Sequence, residues 1–282
     1  MSTPSRSQRH WLPSMDLHMA IQTWGPKNGP LVVALHGWLD NSASFAPLAN
    51  CLPEARILAV DFFGHGHSDP LPPSSLYSVL ACVQQIHGFC AALHLEDFYL
   101  LGHSLGGGAA SLYTSLFPSA VRKLILVDAT IPTLAPDSDL YTQTQNYLET
   151  APAKKSSPWY PSVEAAAQAR SEKSGLNLAS AIELAKRGTR PESEGVEWRT
   201  DPRLTLPLAH PYTEAQVQEF IQHIQTPSIV ISATDGYLSR YPHATSWTQK
   251  LATGVQIEVP GGHHVHMEDP EVVAAHIREA IC

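Results

Sequence analysis

The chain has 282 residues, of which 43% are hydrophobic and 16% are charged, and its formal net charge is −8. This balance is typical of a folded globular protein with one large α/β domain, or a core with an insertion, and excludes a disordered chain. The excess of acidic residues argues against a nucleic acid or an anionic membrane as partner. In addition, no apolar run approaches the roughly 20 residues of a membrane helix.

The cysteines and the N-terminal residues indicate a cytoplasmic protein. The four cysteines form no C-x-x-C pair and no dense framework, which is typical of reduced thiols. Arg6 and Arg9 are not followed by an apolar stretch, so we expect no signal peptide.

Short apolar strands alternate with helices through residues 10–130, which we interpret as the first part of the core. A polar tail, Met1–Arg9, precedes them. Because the connections are short, the alternation predicts a parallel sheet with helices on both faces. Strands are predicted at Leu17–Trp24, Leu31–Leu35, Ile57–Val60, Phe98–Leu101 and Val121–Val127, and helices at Ser44–Leu52, Val79–Leu93 and Leu105–Leu116.

The rhythm changes over residues 131–225, which contain no strong β-run. We predict several helices broken by proline-rich stretches, and this segment is too long for a loop. It is therefore interpreted as an inserted helical cap. Residues 226–282 then return to the core, with strands at Ser228–Ser232 and Val255–Val259 and a last helix from Pro270.

The sequence Gly102-His-Ser-Leu-Gly106 lies between a predicted strand and a predicted helix. A serine at such a sharp turn projects its hydroxyl to where a base can reach it, and small residues two positions away let the strand and the helix approach. Strand, turn and helix are the context that this motif requires. Ser104 is therefore the candidate nucleophile.

His263 is the candidate general base, because it follows the last predicted strand and ligands of parallel sheets bind beyond the carboxyl ends of the strands. His264 and His266 are interpreted as buried, hydrogen-bonded histidines. Because this loop has no cysteine or acidic residue at ligand spacing, we expect no metal.

Two aspartates could orient His263. Asp235 ends the strand that follows the cap, and Asp128 ends the strand that follows the nucleophile. Either gives the chain order Ser, Asp, His. We favour Asp235 and expect Asp128 to be structural, accepting hydrogen bonds from backbone donors near the turn.

The oxyanion hole requires two backbone N–H donors. Leu105, directly after the nucleophile, is expected to provide one. Trp38, in the loop after the Leu31–Leu35 strand, is expected to provide the other. Because the backbone donates, side-chain identity is secondary at both positions.

Together these motifs resemble the α/β-hydrolase superfamily, and more narrowly the serine hydrolase-like (Kraken-type) proteins. The resemblance implies an α/β-hydrolase fold with a mostly parallel sheet of eight strands, helices on both faces and an inserted helical cap. It also places the catalytic histidine seven residues before Pro270, at His263. The matching segments are His36-Gly-Trp-Leu-Asp-Asn41, Asp61-Phe-Phe-Gly-His-Gly-His-Ser68, Gly102-His-Ser-Leu-Gly106, Trp198-Arg-Thr-Asp-Pro-Arg-Leu204, Asp235-Gly236, Gly262-His263 and Glu268-Asp269-Pro270.

A serine at this turn suits acyl transfer, whereas relatives that alkylate the enzyme use a carboxylate there. We therefore expect a serine hydrolase that acts through an acyl-enzyme on a small carboxylic ester, thioester or lactone. No cofactor is implied, and the oligomeric state is left open. The alternatives are a carbon–carbon bond hydrolase or cofactor-free haloperoxidase with the same three residues, a ligand-binding protein of low turnover, and a structural or interaction protein.

Overall fold

The computed structural model describes residues 6–132, 140–151, 156–241, 246–247, 249–251 and 254–281. The strands are β1 (Arg6–Leu12), β2 (Leu17–Trp24), β3 (Leu31–Leu35), β4 (Arg56–Val60), β5 (Phe98–His103), β6 (Val121–Val127), β7 (Trp159–Tyr160), β8 (Thr189–Glu192), β9 (Gly195–Trp198), β10 (Ser228–Asp235) and β11 (Gly254–Gly262). The helices are α1 (Ala46–Cys51), α2 (Val79–Leu93), α3 (Leu105–Leu116), α4 (Leu140–Thr150), α5 (Val163–Ser174), α6 (Leu178–Gly188), α7 (Glu214–Ile221), α8 (Tyr237–Arg240), α9 (Val265–Glu268) and α10 (Pro270–Ile281).

Eight of these strands form one sheet in the order β1-β2-β4-β3-β5-β6-β10-β11. The pairs β1–β2 and β2–β4 are antiparallel, and the other five pairs are parallel. The α/β-hydrolase fold with a mostly parallel eight-stranded sheet is therefore confirmed. Because the parallel strands share one direction, the ends of β3, β5, β6, β10 and β11 lie along one rim.

The sheet separates two apolar cores. Successive side chains of a strand point to opposite faces, so Val33 and Leu35 of β3 pack with α2 and α3. Val32 and Ala34 pack on the other face with α1 and α10. Burial on both faces explains why these strands are continuous apolar runs.

The predicted loose tail is wrong from Arg6 onward. Residues Arg6–Leu12 form the edge strand β1, whose backbone pairs with β2 in antiparallel register. Most of its side chains stay exposed, so the segment is polar although its backbone is ordered. The polar composition of this segment predicted a tail. An edge strand can have the same composition, because its order comes from backbone pairing and not from an apolar face.

The segment between β6 and β10 contains helices α4–α7 and a small antiparallel sheet in the order β7-β9-β8. This sheet corrects the expectation of an all-helical segment. Its strands have two to four residues, and one contains Pro191, so hydrophobic periodicity did not reveal them. Residues 133–139 and 152–155 of the predicted cap lie outside the described residues. The boundaries at 131 and 225 stay a prediction.

None of the helices in the described ranges has the length and apolar character that a transmembrane span requires.

Candidate active site

The turn between β5 and α3 holds Ser104 in a strained backbone conformation, with φ 52° and ψ −118°. A β-carbon at Gly102 would lie 2.6 Å from the carbonyl oxygen of Gly106, and one at Gly106 would lie 2.2 Å from the carbonyl oxygen of Leu35. Both contacts are far shorter than van der Waals distance. The two glycines therefore allow strand, helix and the neighbouring strand β3 to meet around the serine.

His263 reaches this serine from the loop after β11. Its Nε2 lies 2.9 Å from the Ser104 hydroxyl oxygen, within hydrogen-bond distance. The imidazole is 30% exposed, so it lies at the surface of the site. The two residues are 159 positions apart in the chain, and the structure brings them together as the sequence analysis expected.

The carboxylate that contacts His263 belongs to Asp128, not to Asp235. Oδ2 of Asp128 lies 2.6 Å from Nδ1 of His263, and the aspartate is fully buried. Asp235 is exposed, and its carboxylate accepts a hydrogen bond from the Thr234 hydroxyl at 3.3 Å. The preference for Asp235 is therefore corrected.

Sheet order explains this correction. Strand β6, which Asp128 follows, lies directly between β5 and β10. The pairing of β10 with β11 is irregular between Ala233 and Asp235, and this end of β10 is exposed. Asp128 also accepts backbone hydrogen bonds from Ala233, Tyr237 and Leu238. Asp128 therefore does accept from backbone donors, but these lie at the end of β10 and the start of α8 and not at the serine turn, and the same carboxylate also contacts the imidazole.

In the neutral ring, these contacts select one tautomer. A carboxylate at Nδ1 requires a proton on that nitrogen, which leaves a lone pair on Nε2 facing Ser104. The arrangement can accept the hydroxyl proton of Ser104 and stabilise the resulting imidazolium.

Trp38 and Leu105, the expected oxyanion donors, line one cavity beside the serine turn. Leu105 is the first residue of α3, so its N–H belongs to the free backbone donors of a helix start. Trp38 follows β3, and its indole N–H donates to the carbonyl oxygen of Leu204 at 2.9 Å. Leu39, the next residue, has a φ of 61° and marks a tight turn.

His103 is a site residue that the sequence analysis missed. It directly precedes Ser104, it is fully buried, and its Nε2–H donates to the backbone carbonyl of His263 at 2.8 Å. Burial holds its pKa well below the ordinary value, so the ring is neutral. The residue that precedes the nucleophile is thus hydrogen-bonded to the backbone of the base, which fixes the loop of His263 beside the serine turn.

A second missed group centres on the buried carboxylate of Asp40. One oxygen accepts from Arg170 of α5 at 2.7 Å, and the other lies 3.2 Å from Nε2 of His264. Burial alone would raise the pKa of Asp40, but His264, Arg170 and His103 hold it well below its usual range. The only signal for this cluster in the sequence was the recurrence of polar residues at the ends of predicted strands.

Asp40, His103 and His264 also have ligand atoms within 4.8 Å of one another, which is a spacing that a metal ion could bridge. The Arg170 guanidinium already neutralises Asp40 at 2.7 Å, and a buried divalent cation beside it would meet a like charge. This chemistry favours a hydrogen-bonded cluster around Asp40 over a metal site.

The loop after β4 is fixed by a second buried carboxylate, Asp61. It accepts hydrogen bonds from Nε and Nη2 of Arg187 of α6 and from the backbone N–H groups of Ser42 and His67. Burial would raise the pKa of Asp61, but Arg187, the backbone N–H of His67 and His36 together lower it. Nearby His65 donates to the Phe63 carbonyl and accepts from Leu39, and burial lowers its pKa to about 3.

Comparison with known proteins agrees with this architecture. A family profile of the alpha/beta hydrolase fold matches residues 30–270. The chain is 32% identical to serine hydrolase-like protein 2 of Homo sapiens, over 92% of this chain and 88% of that one. It is also 32% identical to a probable serine hydrolase of Drosophila melanogaster, over 90% and 81%. A crystal structure of a hypothetical protein from Pseudomonas aeruginosa superposes with a TM-score of 0.90 at 33% identity, covering 97% of this chain and 98% of that one.

Proposed function

The chain belongs to the alpha/beta hydrolase family, and from that premise we propose that it is a serine hydrolase that cleaves small carboxylic esters or thioesters through an acyl-enzyme. One observation carries the proposal: a single imidazole bridges a strained serine and a buried carboxylate, at 2.9 Å and 2.6 Å. This geometry supports Ser104 as nucleophile, His263 as general base and Asp128 as its acid partner.

In the first half of the reaction, Oγ of Ser104 attacks the substrate carbonyl carbon while its proton moves to Nε2 of His263. The carbonyl oxygen becomes an oxyanion, which the backbone N–H groups of Trp38 and Leu105 stabilise. The tetrahedral intermediate then expels the alcohol or thiol. The proton on Nε2 goes to the leaving group, and the acyl group remains on Ser104.

In the second half, water repeats the attack. His263 accepts a proton from the water as the hydroxide adds to the acyl carbon, and then returns that proton to the departing Oγ of Ser104. The products are the carboxylic acid and the free enzyme. Asp128 keeps the imidazole in the reactive tautomer through both halves.

The test compares purified wild type with Ser104→Ala on p-nitrophenyl butyrate and on the thioester S-butyrylthiocholine. We expect the substitution to lower kcat by at least about 10³-fold. A fluorophosphonate probe should label wild type on the peptide that contains Ser104. Ser111→Ala is the matched control, because Ser111 lies on the same helix but donates to the carbonyl oxygen of Thr130.

Wild-type turnover in Ser104→Ala would overturn the assignment of the nucleophile. The same three groups can also serve carbon–carbon bond hydrolysis or perhydrolysis, so a β-diketone and hydrogen peroxide with acetate are included in the panel. Faster Ser104-dependent turnover of either than of the esters would replace the proposed reaction while keeping the site.

A further inference from the structure

A cavity of about 70 Å³ lies against the turn that carries Ser104. Trp38 and Leu105, the two proposed oxyanion donors, form one side of it. A water-sized group needs roughly 10–15 Å³ of such volume, so the cavity holds about five groups of methylene size. Its position fits the acyl part of a substrate whose carbonyl is held at the oxyanion hole.

The lining of the cavity is mainly apolar. The loop after β4 provides Phe62 and Phe63, the start of α2 provides Val79, and the segment after β9 provides Leu204 and Leu206. The cavity thus lies between the core and the predicted cap. Such a wall stabilises a ligand by removing apolar surface from water.

The charged and buried polar side chains on this wall are engaged within the protein. Arg203 donates to both carboxylate oxygens of Asp201 and to the carbonyl oxygen of Pro72. Tyr77 donates its hydroxyl to the same carboxylate and accepts from the Leu71 backbone N–H. In the described part of the chain, Arg203 is the single charged side chain that lines the cavity, and its charge is neutralised.

Two further polar groups of the wall are also hydrogen-bonded within the protein. The side-chain oxygen of Gln85 accepts from the backbone N–H of Phe63 at 2.7 Å. The indole N–H of Trp38 donates to Leu204, as described above. The remaining polar side chains of the wall are uncharged. Ser78 accepts from the backbone N–H of Ala81, and His65 is hydrogen-bonded as described above, with its pKa lowered to about 3. Ser75 and Tyr147 have hydroxyl groups.

We propose that this cavity is an acyl site that selects an uncharged, unbranched chain of about six carbons, counting the carbonyl carbon. This inference rests on the proposed function for the position of the carbonyl group. A terminal carboxylate on the chain would lose its hydration without finding a free cation, because Arg203 is already held by Asp201. Short acyl groups would leave the apolar wall unfilled.

The first test is a series of p-nitrophenyl esters from acetate to octanoate. We expect kcat/KM to rise about fourfold for each methylene up to hexanoate and to level off or fall beyond it. The matched pair is pentanoate and the monoester of glutarate, which have five acyl carbons each and differ by the terminal carboxylate. We expect the glutarate ester to be at least about tenfold slower. A flat series, or equal rates for the pair, would overturn the proposal.

The second test narrows the cavity. Leu206→Trp adds an indole on the cap side and should lower the ratio of kcat/KM for hexanoate to kcat/KM for acetate at least about tenfold. A urea denaturation midpoint close to that of wild type shows that the variant is folded. Leu178→Trp is the control, since Leu178 is an exposed residue of α6 outside the cavity. Equal losses on both esters in Leu206→Trp would contradict the acyl site.

The third test separates the cavity from the reaction. In Ser104→Ala, hexanamide at about ten times its Kd should raise Tm by about 2–4 °C, and the anion glutaramate should not. Leu206→Trp combined with Ser104→Ala should abolish the shift. Binding without Ser104-dependent cleavage would overturn the proposed function but keep the cavity. Ser104-dependent cleavage without a Tm shift from hexanamide would overturn the acyl site but keep the proposed function.

Discussion

Replacing Asp128 by asparagine tests the acid partner at constant side-chain size. The carboxylate accepts from Ala233, Leu238 and Tyr237 and from the Nδ1–H of His263. If the asparagine amide group faces His263, Nδ1 must accept, so the proton moves to Nε2 and the ring no longer offers a lone pair to Ser104. If its oxygen faces His263, the amide group opposes two backbone donors and the negative charge is still lost.

Both orientations predict a large loss. Forcing the wrong tautomer and removing the charge beside a developing imidazolium costs about 10³–10⁴-fold in kcat, which corresponds to roughly 4–5.5 kcal/mol. If the amide group faces His263, stability should fall less, by about 1–3 kcal/mol, because only the backbone N–H of Tyr237 then loses its acceptor. KM should change little, since Asp128 is buried behind the imidazole.

The assay measures kcat and KM for p-nitrophenyl butyrate, together with urea denaturation. Asp235→Asn is the matched control, because Asp235 is exposed and its carboxylate accepts from the Thr234 hydroxyl, and its kcat should stay within about twofold of wild type. An Asp128→Asn enzyme with more than a tenth of wild-type kcat, or a larger loss in Asp235→Asn, would refute the reasoning.

Three further predictions concern stability. Burial lowers the pKa of His266 to about 3. Below about pH 6.5 this histidine is therefore protonated in the unfolded chain but stays neutral in the folded chain, so stability falls as the pH falls. His266→Phe should therefore reduce the stability lost between pH 8 and pH 5, measured by urea denaturation, by about 2 kcal/mol. Gly106→Ala should destabilise by at least about 3 kcal/mol through its clash with a β3 carbonyl. Gly175→Ala, with open space around it, should cost only about 1 kcal/mol by the same assay. Asp40→Asn should cost about 3 kcal/mol in chemical denaturation, because the guanidinium it pairs with stays partly buried.

Much of the fold could be predicted because its signals are local. Buried parallel strands such as β3 are continuous apolar runs, and the glycines beside Ser104 are required by the turn itself. His263 was found because it follows a strand end at a family motif. Each of these features is encoded within about ten consecutive residues.

The choice between Asp128 and Asp235 could not be made in that way. Both are strand-end aspartates in the right chain order, and what separates them is the position of β6 between β5 and β10 together with an irregular end of β10. Strand order is a property of the whole chain. Edge strand β1 was missed for a related reason. It is held in place by backbone pairing with β2 and not by burial of apolar side chains.

The buried carboxylates Asp40 and Asp61 add a connection that no local pattern contains. Each follows a core strand, and each pairs at 2.7 Å with an arginine from a helix of the predicted cap, Arg170 of α5 and Arg187 of α6. The loop of Asp40 also carries Trp38, and the loop of Asp61 provides part of the cavity wall. Because both pairs are buried, shifting the cap would expose or unpair a charge on each side. Both ion pairs therefore hold helices of the predicted cap against the loops that carry Trp38 and part of the cavity wall.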